Sequence, residues 1–591
     1  MSLFTKEQVI RLEEKAKKNY AAIVSSMMDL IRSNGLYDID IHPVIHFILK
    51  ALEYVCPFGI KLSSLENMCE TDADEAAWME ISSSDITEEI WSKTLETVIH
   101  SISKGEYTVE DLAFFSLDVS GVNAFEECPA TPKSITKLAT SILNIQPNEN
   151  VADIGCGSGS FIIEAWKKQD KAIYFGCEKV YPYVNCCRIR TGILDGNFSY
   201  FADDAFKLVE DSSKKFDKIF SNYPFKIRIS NLGCGEDYLN HLRERIPSIS
   251  KATTSDWIYN SLLCDLLKEN GKAVAVMTNG STWNKTDKAV RQYFIENGFV
   301  EAVISLPGKL FAPETLIPTS MIILSKGNNS VKIVDATNIF EAGRRGNVLS
   351  DDNIKSIISA LKEDCEYSIT LSKDSLRDND YNLNFDRYVA QEMNLDNLAP
   401  FSTVITNITR GAGIKAEELD KITTNEVTNK NYLMLGNIHD GIIDEELPYL
   451  SVIEKNLEKY CLKRNNLILS KNGYPFKIAI AAPKEGQQIL ANGNLFIIEI
   501  DEEKANPYYI KAFFASEQGI AALKSIVVGS TIPNIGVESL KSLKIPIPSL
   551  EEQNKIAEKY QATQDEIKVL KLRLAKAVDR LYHIFDEGEN D

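Results

Sequence analysis

The sequence predicts an α/β protein whose centre is a Rossmann-like, doubly wound parallel sheet, preceded by a helical domain and followed by a smaller α+β domain. Two observations predict the sheet. Apolar, strand-like runs alternate with helical periodicity from residue 116 to residue 390. Within this stretch, the glycine-rich string DIGCGSGSF (153–161) follows an apolar run and precedes a helix-like one, which is the order strand, loop, helix.

Four regions differ in texture along the 591 residues. Residues 1–115 show helical periodicity, as in VIHFILKALEYV, and predict a helical N-terminal domain. Residues 116–390 carry the alternating pattern. Residues 391–548 contain short strands separated by Gly, Asn and Asp turns, and residues 549–591 predict a coiled-coil helix with an acidic tail. A hydrophobic content of 44% is enough to bury several cores.

The glycine-rich string carries the first chemical information. Gly155, Gly157 and Gly159 allow the backbone to turn tightly and to approach a ligand closely. The free amides at the start of the following helix favour an anionic or electron-rich group. A tight strand-to-helix connection and a dinucleotide site would use the same geometry, so the string alone does not decide between them.

Acidic residues follow the next two predicted strands. Glu178 comes directly after YFGC, about twenty to twenty-five residues beyond the glycines, where a doubly wound fold places the acid that binds ribose hydroxyls. The segment FSYFADDAF contains Asp203 and Asp204, either of which could accept a hydrogen bond from an adenine amino group. Acids at such positions also serve as helix caps. Three of them in series favour a site for an adenosine-containing cofactor.

The strand FDKIFS is followed by Asn222, Tyr223, Pro224 and Phe225. This turn resembles the amino-methyltransferase signature of Asn, Asp or Ser followed by two prolines and an aromatic residue, although Tyr223 replaces the first proline. An exocyclic amine conjugated to its ring is a poor nucleophile, and two acceptors on its hydrogens favour the pyramidal geometry needed for attack. The Asn222 side chain and the carbonyl of residue 223 can supply them. Stacking of a base on Phe225 requires that the base leave the duplex.

Further segments extend the resemblance to the modification subunit of type I restriction-modification systems, the adenine-N6 DNA methyltransferases. They are Ala130-Thr131-Pro132-Lys133, SDWIYNSLLCDLLKENGKAVAVMTNG (a helix, a glycine turn and a strand), VEAVISLPGKLFAPETLIPTSMIILSKG, Tyr381-Asn382-Leu383 and Arg387-Tyr388. The resemblance covers roughly residues 1–390. It implies S-adenosylmethionine as cofactor, with Thr131, Asp153 and the glycine loop at its methionine end, Glu178 on ribose and Asp203 or Asp204 on adenine.

The order of these motifs favours adenine as the target. The first cofactor motif, the glycine loop, the catalytic turn and then a recognition region follow one another as in methyltransferases that mostly make N6-methyladenine. N4-methylcytosine enzymes use the same turn. Two alternatives remain. The chain could be a methyltransferase that acts on RNA or on a protein glutamine, or it could be a DNA-binding or assembly subunit that is inactive because of the substitution at Tyr223.

The C-terminal region predicts recognition of double-stranded DNA by the same chain. The segment GSTIPNIGVESLKSLKIPIPSLEEQNKIAEKY (529–560) resembles the end of a target-recognition domain in type I specificity subunits. Two polar loops offer groups suited to base edges or phosphates, although either set could equally consist of turn residues. They comprise Ser470, Lys471, Asn472 and Tyr474 in one loop and Thr531 and Asn534 in the other.

Apolar residues recur at alternating steps of four and three after residue 555, the spacing of a heptad seam. They are Ile556, Tyr560, Thr563, Ile567, Leu570, Leu574, Ala577, Leu581 and Ile584. The seam could pack on its own domain. We expect instead that two copies pair through it, because the chain holds one recognition domain where type I specificity subunits hold two. Such a homodimer would read a bipartite palindrome.

Composition bounds the remaining possibilities. No apolar run reaches membrane-spanning length and the N-terminus lacks a signal-peptide pattern, so a cytoplasmic protein is expected. The 11 cysteines lack paired Cys-x-x-Cys spacing and only 6 histidines occur, so no metal site or disulfide framework is expected, and Cys156 is predicted to be a small buried residue. Without a nuclease or ATPase signature, any DNA cleavage should come from a separate restriction subunit.

The net charge of −19 argues against DNA binding only if charge is treated as a property of the whole molecule, because phosphate contact depends on local patches. Basic residues near the predicted site are candidates for such a patch, or are ordinary solvated charges. They are Lys226 and Arg228 after the catalytic turn and Arg188 and Arg190 on the helix after Glu178.

Overall fold

In the computed structural model, the chain forms two compact units, residues 1–385 and residues 386–591. The structure describes residues 4–15, 29, 33, 41–54, 56–117, 131–225, 227, 232, 235–247, 249, 253–312, 315–344, 346–389, 397–528 and 534–582. The sequence-predicted positions Ala130, Lys226, Arg228, Thr531 and Ile584 lie outside these residues.

Helices begin the first unit. Residues 6–15 are helical, and the next four helices are α1 (Ile41–Ala51), α2 (Asp72–Ser82), α3 (Glu88–Ser103) and α4 (Val109–Leu117). The buried Asp74 carboxylate joins α1 to α2, with His46 Nε2 and Lys50 Nζ each at 2.7 Å. Burial raises the pKa of Asp74, but the hydrogen bonds from His46 and Lys50 outweigh burial and hold this pKa below its ordinary value.

A nine-stranded mixed sheet lies at the centre of the first unit. Its strands are β1 (Asn150–Ile154), β2 (Ile173–Cys177), β3 (Asn197–Phe201), β4 (Phe216–Ser221), β5 (Leu267–Thr278), β6 (Val300–Ser305), β7 (Thr319–Leu324), β8 (Ser330–Asp335) and β11 (Ser368–Ser372); a separate hairpin consists of β9 (Glu341–Ala342) and β10 (Asn347–Val348). Strands such as β7 are buried along their whole length, as expected of a sheet covered on both faces.

The strand order across the sheet is β11-β8-β6-β7-β5-β4-β1-β2-β3. The strands from β3 to β5 are parallel, and β7 runs antiparallel between β5 and β6. The direction of strand addition reverses between β1 and β4. In open α/β sheets, ligands bind outside the carboxyl ends of the strands at such a switch point.

The other helices of the first unit are α5 (Lys133–Leu143), α6 (Ser160–Lys168), α7 (Tyr181–Thr191), α8 (Gly235–Arg245), α9 (Ser255–Leu266), α10 (Lys288–Glu296), α11 (Asp351–Lys362) and α12 (Lys373–Asp378). The residues of α3 and of α6 belong to one buried cluster, which includes Trp91, Leu95, Phe161 and Trp166. The helical segment therefore shares its core with the sheet, and a domain boundary at residue 115 stays a prediction. The predicted glycine turn after α9 is wrong, because Gly271 lies within β5, at an irregularity in the pairing with β4.

The second unit combines short strands and helices. One four-stranded sheet has the order β13-β22-β19-β20, formed by β13 (Ile405–Arg410), β22 (Leu495–Ile500), β19 (Leu467–Ser470) and β20 (Ile478–Ile480). The other has the order β14-β18-β15-β21, formed by β14 (Thr423–Thr424), β18 (Tyr449–Leu450), β15 (Lys430–Leu433) and β21 (Gln488–Ala491). Two-stranded pairs are β12 (Leu398–Pro400) with β25 (Lys544–Pro546), β16 (Ile438–His439) with β17 (Ile442–Ile443), and β23 (Val527–Val528) with β24 (Asn534–Ile535).

The helices of the second unit end with one of 33 residues. In order they are α13 (Asp386–Val389), α14 (Ala416–Ile422), α15 (Pro507–Ala515), α16 (Glu517–Ser525), α17 (Val537–Ser542) and α18 (Leu550–Tyr582). The first turns of α18 pack on the unit, where Gln553 and Ala557 are buried. Among the described residues, the structure contains no helix with both the length and the apolar run that a membrane crossing requires.

Glu13 provides a test of how the first helix is attached. Its carboxylate pairs with Lys167 Nζ at 3.1 Å and with Lys133 Nζ. Burial raises the pKa of Glu13, but these two ammonium groups outweigh burial and lower the pKa to about 2. A carboxyl whose pKa is lowered by folding stabilises the protein above its unfolded pKa and loses that effect as the pH falls.

We therefore expect Glu13→Gln to lower the free energy of unfolding by roughly 2 kcal/mol at neutral pH, allowing for partial exposure of the pair. The difference from wild type should shrink as the pH falls from about 5 to about 2. Urea unfolding at several pH values measures both effects. A difference that stays constant over this range would mean that the pair does not stabilise the fold.

Candidate active site

Parallel register places the ends of the central strands at one edge of the sheet. Asp153 of β1 is paired with Gly176 of β2 and with Phe220 of β4, and β3 continues the register of β2. The predicted site residues that follow these strands therefore lie at a common edge with the glycine loop. They are Glu178, Asp203, Asp204 and Asn222.

The glycine loop is held by backbone hydrogen bonds to the end of β2. The amides of Gly155 and Cys156 donate to the carbonyl of Cys177 at 2.8 and 2.9 Å. Gly155, Gly157 and Gly159 have φ of +82°, +51° and +83°, a backbone region that residues with a Cβ rarely adopt. Cys156 is buried, as predicted. The three glycines are therefore required by the conformation of the turn.

The loop is closed on one side and open on the other. A Cβ added at Gly159 would lie 2.5 Å from Cys187 Sγ of α7, whereas one added at Gly155 or Gly157 would meet no atom of the described residues within 4 Å. Gly159 thus permits the close approach of α6 and α7. The open space beside Gly155 and Gly157 leaves the loop backbone accessible to a ligand.

Asp153 ends β1 just before this loop and is buried. Its Oδ1 has no hydrogen-bond partner among the described residues. Burial, reinforced by the nearby charge of Glu178, raises the pKa of Asp153 well above its ordinary value. An unsatisfied buried carboxyl oxygen beside an open loop is suited to a cationic or hydrogen-bond-donating part of a ligand.

The Glu178 carboxylate braces the loop. Oε2 accepts the amide of Gly157 at 3.0 Å, and Oε1 accepts the amides of Lys179 and Val180 at 2.8 and 2.9 Å. Glu178 therefore couples the end of β2 to the central glycine. The predicted contact of this carboxylate with ribose stays a prediction.

The two aspartates after β3 have different partners. Asp204 Oδ1 caps the short 3-10 helix that follows by accepting the amide of Phe206 at 3.1 Å, and Oδ2 pairs with Lys179. The hydrogen bond from Lys207, at 2.8 Å, lowers the pKa of Asp203. Asp204 is thus engaged as a buried cap, and the choice between Asp203 and Asp204 as the adenine-binding acid stays a prediction.

Asn222 follows β4 and contacts the first cofactor motif. Its Nδ2 donates to Thr131 Oγ1 at 3.1 Å. Its Oδ1 is buried and lacks a hydrogen-bond partner within the part of the chain that the structure describes. The preceding residue, Ser221, donates its hydroxyl to the carbonyl of Ile154 at 2.6 Å, which ties the turn to the end of β1. The turn therefore presents one free acceptor beside the glycine loop.

The side chain of Tyr223, which departs from the family pattern, lies in the core. Its hydroxyl donates to Asn260 Oδ1 at 3.1 Å, and its ring stacks on Tyr259 with centroids 4.8 Å apart. Burial raises the pKa of Tyr223 well above its ordinary value. These contacts with α9 anchor the turn by side-chain packing, and the bulk of tyrosine is directed away from Asn222. Asn260 and Tyr259 lie within the segment SDWIYN, but helical periodicity did not indicate their contact with the turn.

Phe225 is partly exposed and meets a residue that the motif analysis did not single out. Its ring lies edge-to-face with Phe311, with centroids 6.1 Å apart, and Pro224 between Tyr223 and Phe225 is exposed. Phe311 belongs to the segment LPGKLFAPETLIP, whose pattern predicts the neighbouring strands but no role for this ring. An aromatic residue in a loop at the same sheet edge is the signal that could have identified it.

Arg190 serves neither of the two uses expected for it. The side chain is buried, and it donates to the carbonyl of Leu117 at 2.6 Å and to the carbonyl of Ser158 in the glycine loop. It is therefore neither a phosphate contact nor a solvated charge, but a link between α4 and the loop. Arg188 lies over the ring of Tyr200 at 5.7 Å.

In the second unit, the two predicted base-contact loops meet. The backbones of Asn472 and Asn534 form an isolated antiparallel β-bridge, and the amide of Ile535 donates to the carbonyl of Lys471 at 3.0 Å. Tyr474 is 49% exposed, with Lys524 Nζ 4.8 Å from its ring centre. Ser470 is buried, and its hydroxyl accepts the amide of Lys477, which favours the alternative of a structural residue for this member of the loop.

Family models match both units. Residues 130–397 match the N-6 DNA methylase family, and residues 407–577 match the type I restriction modification DNA specificity domain. The chain therefore contains a methyltransferase region of the N-6 DNA methylase class joined to a type I specificity domain. More particularly, the methylase region is similar to the methylase subunits of type I restriction-modification systems, and the specificity region is fused to it in the same chain.

Individual relatives are distant. The methylase subunit of the type I restriction enzyme MpnII from Mycoplasma pneumoniae is 24% identical over 45% of this chain and 54% of its own length. That of MjaVII from Methanocaldococcus jannaschii is 26% identical over 44% of this chain and 48% of its own length. The chain thus spans about half the length of the curated relatives it matches.

The chain is also similar to solved structures, at low identity. A type I methyltransferase subunit from Streptococcus thermophilus has 19% identity and a TM-score of 0.46, covering 62% of this chain and 98% of its own. The type IIG restriction endonuclease BpuSI has 12% identity and a TM-score of 0.49, covering 93% of this chain and 75% of its own.

S-adenosylmethionine is the cofactor of this methyltransferase class and supplies a methyl group activated by its sulfonium. The residues at the sheet edge fit such a molecule. The open space at Gly155 and Gly157 leaves the loop backbone accessible, and the unsatisfied Asp153 Oδ1 can accept a hydrogen bond from an ammonium group.

The asymmetry of the glycine loop can be tested with two alanine substitutions. Gly159→Ala should lower the free energy of unfolding by about 3 kcal/mol, because backbone strain adds to the clash with Cys187. Gly157→Ala serves as the matched control, since it adds only the strain of about 1–2 kcal/mol. Urea unfolding measures both. Equal losses would mean that the close packing of Gly159 on α7 is not limiting.

Proposed function

We propose that this chain transfers the methyl group of S-adenosylmethionine to the exocyclic N6 of a flipped adenine in double-stranded DNA, in a type I-like restriction-modification or phage-defence system. The observation that carries the proposal is the state of Asn222. Its amide nitrogen is engaged by Thr131, while its buried Oδ1 has no partner among described residues. At the switch point of the sheet, this leaves an acceptor for an amine hydrogen.

The chemistry follows from what an aromatic amine lacks. Its lone pair is delocalised into the ring, and acceptors on both hydrogens favour the pyramidal form in which the pair is available. Asn222 Oδ1 is one acceptor and the backbone carbonyl of Tyr223 is the other. Because the second acceptor is backbone, tyrosine supplies it as well as proline would, and stacking of its ring on Tyr259 compensates for the lost rigidity. Positioning and electrostatics provide most of the rate.

The flipped base stacks on Phe225, with Phe311 beside it. Stacking and hydrogen bonds to the base edge are the usual means by which an enzyme holds an extruded base. We assign the cofactor's methionine end to Thr131, Asp153 and the glycine loop, its ribose to Glu178, and its adenine to Asp203 or Asp204. The open loop and the unsatisfied Asp153 oxygen support this assignment.

The specificity match over residues 407–577 supports DNA as the substrate and the second unit as its reader. The meeting of Lys471, Asn472 and Asn534 beside Tyr474 provides amide and ammonium groups on adjacent loops. Amide side chains pair with adenine edges, and ammonium groups bind guanine edges or phosphates. We assign any DNA cleavage to a separate partner chain.

Mapping of methylated bases in cells that express this chain alone tests the proposal most directly. N6-methyladenine at one sequence context is the expected result. N4-methylcytosine would change the assigned base. Transfer of tritiated methyl groups to RNA or protein but not to duplex DNA would overturn the assignment of DNA as the substrate. Failure to bind S-adenosylmethionine in calorimetry would overturn the assignment of the chain as an enzyme.

Substitution of Asn222 separates catalysis from cofactor binding. Asn222→Ala should lower the methylation rate by at least about a hundredfold, the loss typical of removing one such hydrogen-bonding group. Binding of S-adenosylmethionine should fall far less, which calorimetry measures. Tyr223→Phe is the control, since it keeps the backbone carbonyl and the ring on Tyr259 and should retain most of the activity. Equal loss of methylation and cofactor binding in Asn222→Ala would contradict the assigned role.

We also propose that two copies pair through α18. Of the predicted seam, Ile556, Ile567, Leu570 and Leu574 are exposed. Tyr560 instead lies against Lys511 of its own unit, with the ammonium 5.4 Å from its ring centre. The side chains of Ala577 and Leu581 lie outside the described part of the helix. Exposed apolar residues at heptad spacing are suited to a coiled-coil partner, and a second copy would supply a second recognition domain.

A charge in the seam tests this pairing. Leu570→Glu should convert a dimer to a monomer in light scattering at micromolar concentration, because it places like charges in an apolar interface. Val569→Glu adds the same charge at an equally exposed neighbouring position that is outside the heptad series, and the dimer should persist. A wild-type chain that is monomeric yet methylates DNA would exclude pairing as a requirement.

A further inference from the structure

We propose that Leu316 fills the gap left in the DNA stack when the target base swings out, and that it is thus a positioning residue for the reaction; this inference rests on the function proposed above. An enzyme that extrudes a base must offset the loss of stacking in the duplex, and an apolar side chain inserted between base pairs is one general way to do so.

The loop that carries Leu316 lies at the catalytic edge of the sheet. It connects β6 with β7, and β6 runs parallel to β5 because both are antiparallel to β7. The loop therefore leaves β6 at the same edge as the glycine loop and the turn of Asn222. The amide of Leu306 donates to the carbonyl of Thr319 at 2.9 Å and closes the base of the loop.

Within the loop, Leu316 is close to the aromatic pair of the site. Phe311 contacts Phe225 edge-to-face. The amide of Thr315 donates to the carbonyl of Phe311 at 3.0 Å. Leu316 directly follows Thr315, so this hydrogen bond ties the backbone beside Leu316 to Phe311. The proposed position of the flipped base and the exposed leucine are thereby linked through Phe311 and Thr315.

Leu316 is 61% exposed, whereas Leu306, Leu310 and Phe311 of the same loop are buried. Single exposed leucines are common on protein surfaces. Leu316 differs in that its backbone is braced: its carbonyl accepts the amide of Lys309 at 3.2 Å and would lie only 3.0 Å from a Cβ at Gly308. A backbone braced in this way presents the apolar side chain from a fixed position, which reduces the ordering cost of entering a base stack.

Two positively charged residues lie on the loop of Leu316 and on the hairpin joined to it. Lys309 and Arg344 are exposed, and the hairpin that carries Arg344 is joined to the loop by the amide of Asn347, which donates to the carbonyl of Lys309 at 3.0 Å. Glu341 on the same hairpin is also exposed. Exposed cations on the loop and on the hairpin joined to it are suited to the phosphates that flank the stacked bases of a duplex.

The expected effect depends on how firmly the target base is held in the duplex. Leu316→Ser should lower methylation of the fully paired site by about tenfold or more, since the variant no longer offsets unstacking. On the same site with an abasic position opposite the target adenine, the base leaves the stack easily, and Leu316→Ser should methylate at nearly the wild-type rate. Leu316→Met, which keeps an apolar chain of similar volume, should retain activity on both.

Methylation rates are measured with the full chain on the duplex that wild type methylates. A second duplex, in which 2-aminopurine replaces the target adenine, reports extrusion by fluorescence and is not itself methylated. Phe58→Ser is the control for loss of an exposed apolar residue, because Phe58 is 60% exposed in the helical segment. It should leave both rates unchanged. S-adenosylmethionine binding by calorimetry confirms that each variant is folded.

The possible failures are distinguishable. Absence of methylation of any DNA by wild type would overturn the proposed function. With an active wild type, unchanged methylation of paired DNA by Leu316→Ser would overturn the inference, and so would an equal loss on paired and abasic substrates.

Discussion

The hydrogen bond from Asn222 Nδ2 to Thr131 Oγ1 is the interaction on which the candidate site depends. An amide side chain has one donor end and one acceptor end, and engaging the donor end directs the oxygen elsewhere. Thr131 stands before α5, far from Asn222 in the sequence. The bond from Ser221 to the carbonyl of Ile154 adds a second tie. The turn is therefore held to both the first cofactor motif and the end of β1.

The sheet and its polar edge could be predicted from the sequence because parallel strands leave regular evidence. Each strand is a short apolar run, and a residue at its carboxyl end, such as Asp153, or directly after it, such as Glu178 or Asn222, must fall at the carboxyl edge once the strands are parallel. The direction of a bulky side chain is another matter. Nothing in the string Asn222-Tyr223-Pro224-Phe225 indicates that Tyr223 turns inward, since that depends on Tyr259 and Asn260, more than thirty positions later.

The same limit applies to Arg190 and to the recognition loops. An arginine on a helix near a predicted site suggests a phosphate contact, yet burial beside two backbone carbonyls gives it a structural use. The pairing of Asn472 with Asn534 joins loops separated by about sixty residues. Such contacts follow from the arrangement of whole elements, which periodicity and motif spacing do not specify.

The final helix has two faces that differ in what they can contribute. On one face, Lys568 pairs with Glu445 at 3.4 Å and Lys571 with Asp440 at 2.5 Å; exposed pairs of this kind add about 0–1 kcal/mol each. Buried contacts in the first turns therefore do more to attach the helix. The other face presents apolar side chains such as Leu570 and Leu574 to solvent.

A chain with a net charge of −19 repels its own copies, so any self-association must derive its free energy from apolar burial along this face, at about 25 cal/mol per Å². High salt would screen the repulsion while leaving the apolar contribution intact, and the pairing should therefore strengthen as ionic strength rises.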